Sequence, residues 1–138
     1  MSSPFFSHID HLGIAVANLA EAEARYTAMF GMEPYKREAV EREGVMTSFY
    51  QVGPNKIELL EATKADSPIA KHVEKRGEGL HHVAYLVKDI RAEMARLKAE
   101  GFQLLSEEPK PGADGMFVAF VHPKTAGGVL VELCQPQS

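Results

Sequence analysis

The octet His11-Leu-Gly-Ile-Ala-Val-Ala-Asn18 has a counterpart in His82-Val-Ala-Tyr-Leu-Val-Lys-Asp89, with histidine first and a capping residue last in both. In each copy the closing polar residue lies seven positions after the histidine. A chain that carries the same segment twice is confined to folds made by pairing two supersecondary units. The length of 138 residues, 45% of them hydrophobic, allows both units within one domain, expected to span 1–138.

Each octet is rich in β-branched or aromatic residues and too short for a stable helix, so each reads as a strand. Alternation then places Leu12, Ile14 and Val16 on one face and His11, Gly13 and Ala15 on the other, where the small residues leave room before the imidazole. In the second copy Val83, Tyr85 and Val87 oppose His82, Ala84 and Leu86. Asn18 and Asp89 are N-cap types, and Glu21 completes a capping-box pattern with Asn18. The helices that follow end at Gly31 and Gly101, where glycine takes a left-handed C′ conformation without steric penalty.

Strand-like runs follow each helix: a stretch after Gly31, then 45–52 and 56–60, in the first half, and 102–105, 117–122 and 128–134 in the second. Each half is therefore a βαβββ module, the first about 7–62 and the second about 79–135. Ser67 before Pro68 opens a connecting helix at about 67–76. The expected fold class is α+β, with two tandem modules forming a curved mixed sheet.

Fifteen basic against nineteen acidic residues give a net charge of −4, which disfavours nucleic acid and anionic lipid as partners. The single cysteine, Cys134, forms no internal disulfide and reads as a core thiol. No apolar run approaches the ~18 residues of a membrane helix, and the N-terminal residues show no signal or transit peptide. The cytoplasm is the expected compartment, the mitochondrial matrix being the alternative.

Two polar types recur on matched strands: His11 and His82, and Glu58 in Ile57-Glu-Leu-Leu60 and Glu132 in Val131-Glu-Leu-Cys134. The separations are 47 residues from His11 to Glu58 and 50 from His82 to Glu132. Alternation sets Glu132 opposite Val129, Val131 and Leu133. A carboxylate withdrawn from water shifts its pKa or finds a cation. Two imidazoles and two carboxylates suit a borderline divalent ion such as Mn, Co, Ni, Fe or Zn. Singly, a strand histidine is most often a hydrogen-bonded core or rim residue and Glu58 could sit on a solvated face beside Lys56 and Glu61; recurrence at matched offsets favours a shared metal.

His8-Ile-Asp-His-Leu-Gly-Ile-Ala-Val16, Lys56-Ile-Glu-Leu-Leu60, Ser67-Pro-Ile-Ala-Lys71, Gly79-Leu-His-His-Val83, Asp89-Ile90, Glu108-Pro-Lys-Pro-Gly112, His122-Pro-Lys124 and Gly128-Val-Leu-Val-Glu-Leu133 are spread nearly from end to end of the chain. On these passages the chain resembles the vicinal oxygen chelate superfamily (glyoxalases, bleomycin resistance proteins and dioxygenases), and within it the methylmalonyl-CoA epimerase family. The resemblance implies metal ligands at His11, His82 and Glu132, with Glu58 at a fourth position. His8 and His81 are not ligands by this mapping, and His122 organises its own turn.

What the resemblance implies for activity is epimerisation of methylmalonyl-CoA by metal-assisted removal of the α proton through an enolate. The divalent ion would be Co, Mn, Ni, Zn or Mg, the catalytic carboxylate Glu132 or Glu58, and the assembly a homodimer. Some epimerases carry a glutamate shortly after the Gly-Val that matches Gly44-Val45; this chain has Met46, Thr47 and Ser48 there, and Glu43 precedes the turn. Lys71, Arg76, Lys110 and Lys124 are expected at a basic rim for CoA, and the loop 110–115 could offer backbone N–H groups to a substrate oxygen. The same scaffold also serves lactoylglutathione lyases, extradiol dioxygenases and metal-free binding or resistance proteins, which metal analysis and oxygen consumption separate.

Overall fold

The computed structural model describes residues 2–138. Its elements, in chain order, are β1 (Phe6–Val16), α1 (Leu19–Phe30), β2 (Lys36–Val40), β3 (Val45–Val52), β4 (Asn55–Ala62), α2 (Pro68–Arg76), β5 (Gly79–Val87), α3 (Ile90–Ala99), β6 (Lys110–Pro111), β7 (Met116–Val121) and β8 (Val131–Pro136). The order βαβββ therefore occurs twice, around the intervening α2. The fold is mixed α+β.

All three helices begin on a side-chain oxygen that satisfies a backbone N–H of the first turn, as helix ends require. Asn18 accepts from Glu21 N at 2.9 Å, Ser67 from Ala70 N at 3.1 Å and Asp89 from Ala92 N at 3.1 Å. Gly31 closes α1 in the left-handed conformation at φ 72° and ψ 25°. At the end of α3, Gly101 adopts φ 101°, and Phe102 N returns to Leu97 O at 3.0 Å.

The chain divides into two compact units, one formed by His11–His81 and the other by residues 2–10 with His82–Ser138. β1 is one continuous strand whose first five residues belong to the second unit and whose last six belong to the first. In the first unit the strand order is β2-β3-β4-β1, with β1 parallel to β4 and the other pairs antiparallel. In the second it is β1-β5-β8-β7-β6, with β5 parallel to β8 and β7 antiparallel to both β8 and β6.

Register separates the faces. In the first unit Val16, Tyr50 and Leu59 pack with Leu19 and Ala22 of α1, which buries the apolar stripe of that helix. The opposite face carries His11, Ala15, Thr47, Phe49, Glu58 and Leu60, and α2 covers one end of it through Ile69 and Val73. The second unit repeats the division: Val87, Ala119, Val121 and Leu133 pack on Ile90, Met94 and Leu97 of α3. The other face holds Ala84, Val118 and Cys134, with Leu86, Met116 and Phe120 against them.

Two expected strands come out differently. The run 102–105 contributes one bridge, Leu104 with Val121, flanked by Leu105 N to Phe120 O at 2.9 Å and His122 N to Gln103 O at 2.7 Å. Beyond it Pro109 lacks the N–H a ladder needs, and pairing with β7 resumes over Lys110–Pro111. The last strand starts at Val131 rather than 128, because Gly127 and Gly128 turn at φ 68° and 93° and Gly128 N bonds Pro123 O at 2.7 Å.

Candidate metal centre

Glu58 and Glu132 occupy equivalent places in the two ladders. On its parallel neighbour Glu58 faces Gly13, and on its antiparallel neighbour it faces Phe49. Glu132 faces Ala84 and Phe120 in the same way. Each glutamate thus lies between a small residue, which leaves space, and a phenylalanine, which excludes water. The histidine of each unit stands two residues before that small partner, on the same face.

The side chains meet within each unit. His11 Nδ1 lies 3.2 Å from Glu58 Oε2, and His82 Nε2 lies 3.0 Å from Glu132 Oε1. All four are buried, with 3–6% of their surface exposed. In the second unit the Phe120 ring meets the His82 ring edge-on, 6.0 Å between centroids at 89°. Such apolar walls lower the local dielectric and make a fixed charge partner for each carboxylate more valuable. Each unit therefore presents one imidazole nitrogen and one carboxylate oxygen, adjacent and withdrawn from solvent. That is donor chemistry suited to a divalent transition metal.

The other expected residues fall into place individually. His8 pairs with the neighbouring Ser7 hydroxyl at 3.1 Å. His81 packs its ring on His72 at 5.0 Å between centroids. Burial, with the charge of Arg76 adding to it, holds the His72 imidazole below its ordinary pKa. His122 Nδ1 accepts from Lys124 N at 3.0 Å, which fixes the His-Pro-Lys turn. Glu61, on the other face from Glu58, caps α1 by accepting from Leu19 N at 3.1 Å. Cys134 is fully buried and donates to Tyr85 O at 3.5 Å. Lys71, Arg76, Lys110 and Lys124 are exposed. In the loop 110–115, Asp114 takes a left-handed conformation at φ 59°, a strained state for a residue with a side chain.

Two buried polar residues on the His11 face had no role assigned from the sequence. Lys56 lies directly opposite His11 in the ladder and is 8% exposed. Thr47 is fully buried opposite Leu60. The signal for Lys56 was available in its spacing of two from Glu58, which puts both on one face.

Residues 10–120 match the Glyoxalase/Bleomycin resistance protein/Dioxygenase superfamily. The chain belongs to this superfamily. Among superfamily relatives, it is 43% identical over 129 residues to an ethylmalonyl-CoA/methylmalonyl-CoA epimerase of Cereibacter sphaeroides, covering 92% of this chain and 96% of that one. It is 41% identical over 128 residues to the human mitochondrial methylmalonyl-CoA epimerase, covering 92% of this chain and 73% of the relative. A methylmalonyl-CoA epimerase solved in complex with methylmalonyl-CoA and NH4+ superposes with a TM-score of 0.92 at 34% identity, over 96% of each chain.

Proposed function

We propose that this member of the superfamily is a methylmalonyl-CoA epimerase, and that His11, Glu58, His82 and Glu132 are its divalent-metal ligands. The observation that carries the reading is the repeated buried His–Glu pair, set at the same register in both units. The relatives named above support the substrate, a CoA thioester bearing a carboxylate on its α-carbon.

Epimerisation removes the proton between thioester and carboxylate and returns one to the opposite face. When bound, a divalent cation supplies Lewis acidity that stabilises the negative charge growing on the thioester oxygen. Glu132 or Glu58 takes the α proton on a carboxylate oxygen, and a second group or a water returns a proton from the other side. His82 at Glu132 and His11 at Glu58 fix the orientation of those carboxylates, and Phe120 and Phe49 keep water from them. Lys71, Arg76, Lys110 and Lys124 are the side chains proposed to meet the CoA phosphates. The reading includes a cytoplasmic homodimer.

Proton NMR of a single methylmalonyl-CoA epimer in D2O tests this function. The α proton exchanges for deuterium with the metal-loaded protein and is retained with the metal-stripped one. Retention in both samples removes the proposal.

A further inference from the structure

Among the described residues, Thr47 Oγ1 is a buried side-chain polar atom with no hydrogen-bond partner. Such atoms are rare in folded proteins because burying a hydroxyl without a partner costs stability. The residues around it show what ordinary satisfaction looks like here. Ser48, on the opposite face, donates to Glu23 Oε2 at 2.7 Å, and the Tyr50 hydroxyl pairs with Thr27 Oγ1 at 2.8 Å. The orphaned hydroxyl lies on the face of His11 and Glu58.

The duplicated architecture supplies an internal control. Thr47 stands two residues before Phe49, which faces Glu58; Val118 stands two residues before Phe120, which faces Glu132. Valine and threonine have nearly the same shape. The equivalent site in the second unit is thus filled without a hydroxyl, and Val118 is buried there. Packing alone does not require the oxygen at position 47.

Thr47 lies diagonal to Glu58 across the β3–β4 ladder, since Thr47 faces Leu60 and Phe49 faces Glu58. Diagonal neighbours on one face are about 7–8 Å apart, so a group bound at Glu58 lies close to position 47. A threonine hydroxyl is too weak an acid and base to move the α proton itself, but it is a competent donor to an anionic oxygen.

We infer that the Thr47 hydroxyl donates a hydrogen bond to a carboxylate oxygen of the substrate's acyl group, so that Thr47 is a substrate-contacting residue on the first unit. The inference rests on the epimerase reading above. It makes the stability lost by the orphaned hydroxyl in the free protein the counterpart of affinity gained in the complex.

The test compares wild type with T47V and T47S by three readouts: thermal midpoint without ligand, dissociation constants for methylmalonyl-CoA and for propionyl-CoA, and α-proton exchange. T47V is expected to melt at or above the wild-type temperature and to bind methylmalonyl-CoA about ten- to a hundredfold more weakly, the range for a hydrogen bond to a charged group. Propionyl-CoA, which lacks the carboxylate, is expected to change less than about twofold. T47S is expected to restore affinity. A T47V protein that melts lower with unchanged affinity shows a structural hydroxyl and overturns the inference, as do equal losses for both thioesters or a T47V protein unchanged in every readout. Should T47V fail to fold, the hydroxyl is likewise structural; T47S then serves as the folded control. If wild type itself neither binds methylmalonyl-CoA nor exchanges its α proton, the epimerase reading fails and takes this inference with it; wild-type activity with an unaffected T47V removes the inference alone.

Discussion

Glu132 Oε1 lies 3.0 Å from His82 Nε2, with both side chains 6% exposed. A carboxylate held this close to an imidazole and walled by Phe120 is oriented before any ligand arrives. The His11–Glu58 pair has the same register but engages the imidazole through Nδ1 rather than Nε2. The two halves therefore share a ladder position while turning their rings differently.

Glu132→Gln keeps the shape of the side chain and removes its basicity. If Glu132 takes the proton, exchange at the α-carbon in D2O falls about 10²–10⁴-fold while the fold is kept. Glu58→Gln supplies the comparison, and of the two variants, each assayed with its metal retained, the one that loses more identifies the principal base. Undiminished exchange by a metal-loaded Glu132→Gln protein rejects Glu132.

Glu23 links α1 to β2 and β3. Its carboxylate accepts from Arg37 Nη2 at 2.8 Å and from the Ser48 hydroxyl at 2.7 Å. The Arg37 hydrogen bond, against the opposing effect of burial and with help from Ser48, holds its pKa below the ordinary 4.5. A carboxyl with a lowered folded pKa stabilises the fold above its unfolded value and ceases to do so as pH falls through the folded one. Glu23→Gln is thus expected to lower the melting temperature at pH 7 and to match wild type at strongly acidic pH. Arg37 is 56% exposed, so the difference is limited to about 2–4 °C. Melting curves across pH 2–7 measure it, and a gap that persists at pH 2 contradicts the assignment.

Leu59 and Leu133 are fully buried, the first against the α1 side and the second against the α3 side. Leu59→Ala and Leu133→Ala each remove buried methyl groups and leave a cavity, at about 2–5 kcal/mol. Urea unfolding of the two variants reads the loss. A change below about 1 kcal/mol in either would mean that the site collapses around the gap.

What the sequence made legible was local or periodic. Asn18, Ser67 and Asp89 cap helices by contacts within three residues, so their roles follow from neighbours in the chain. The histidines and glutamates were legible because alternation assigns faces and duplication fixes the offsets. The single bridge at Leu104 was not, since its strand propensity is overridden by the prolines that follow and by what β7 offers. Thr47 was legible only as a departure from relatives. That its hydroxyl lacks a partner depends on the residues packed around it, which no spacing encodes.

Counting metal per chain shows whether His11 and His82 are both ligands. After chelation and reconstitution with Co, Mn, Ni or Zn, elemental analysis of wild type is expected to give one divalent ion per chain, and His11→Ala and His82→Ala are each expected to lose it. Full retention of metal by either variant contradicts the assignment of that histidine as a ligand.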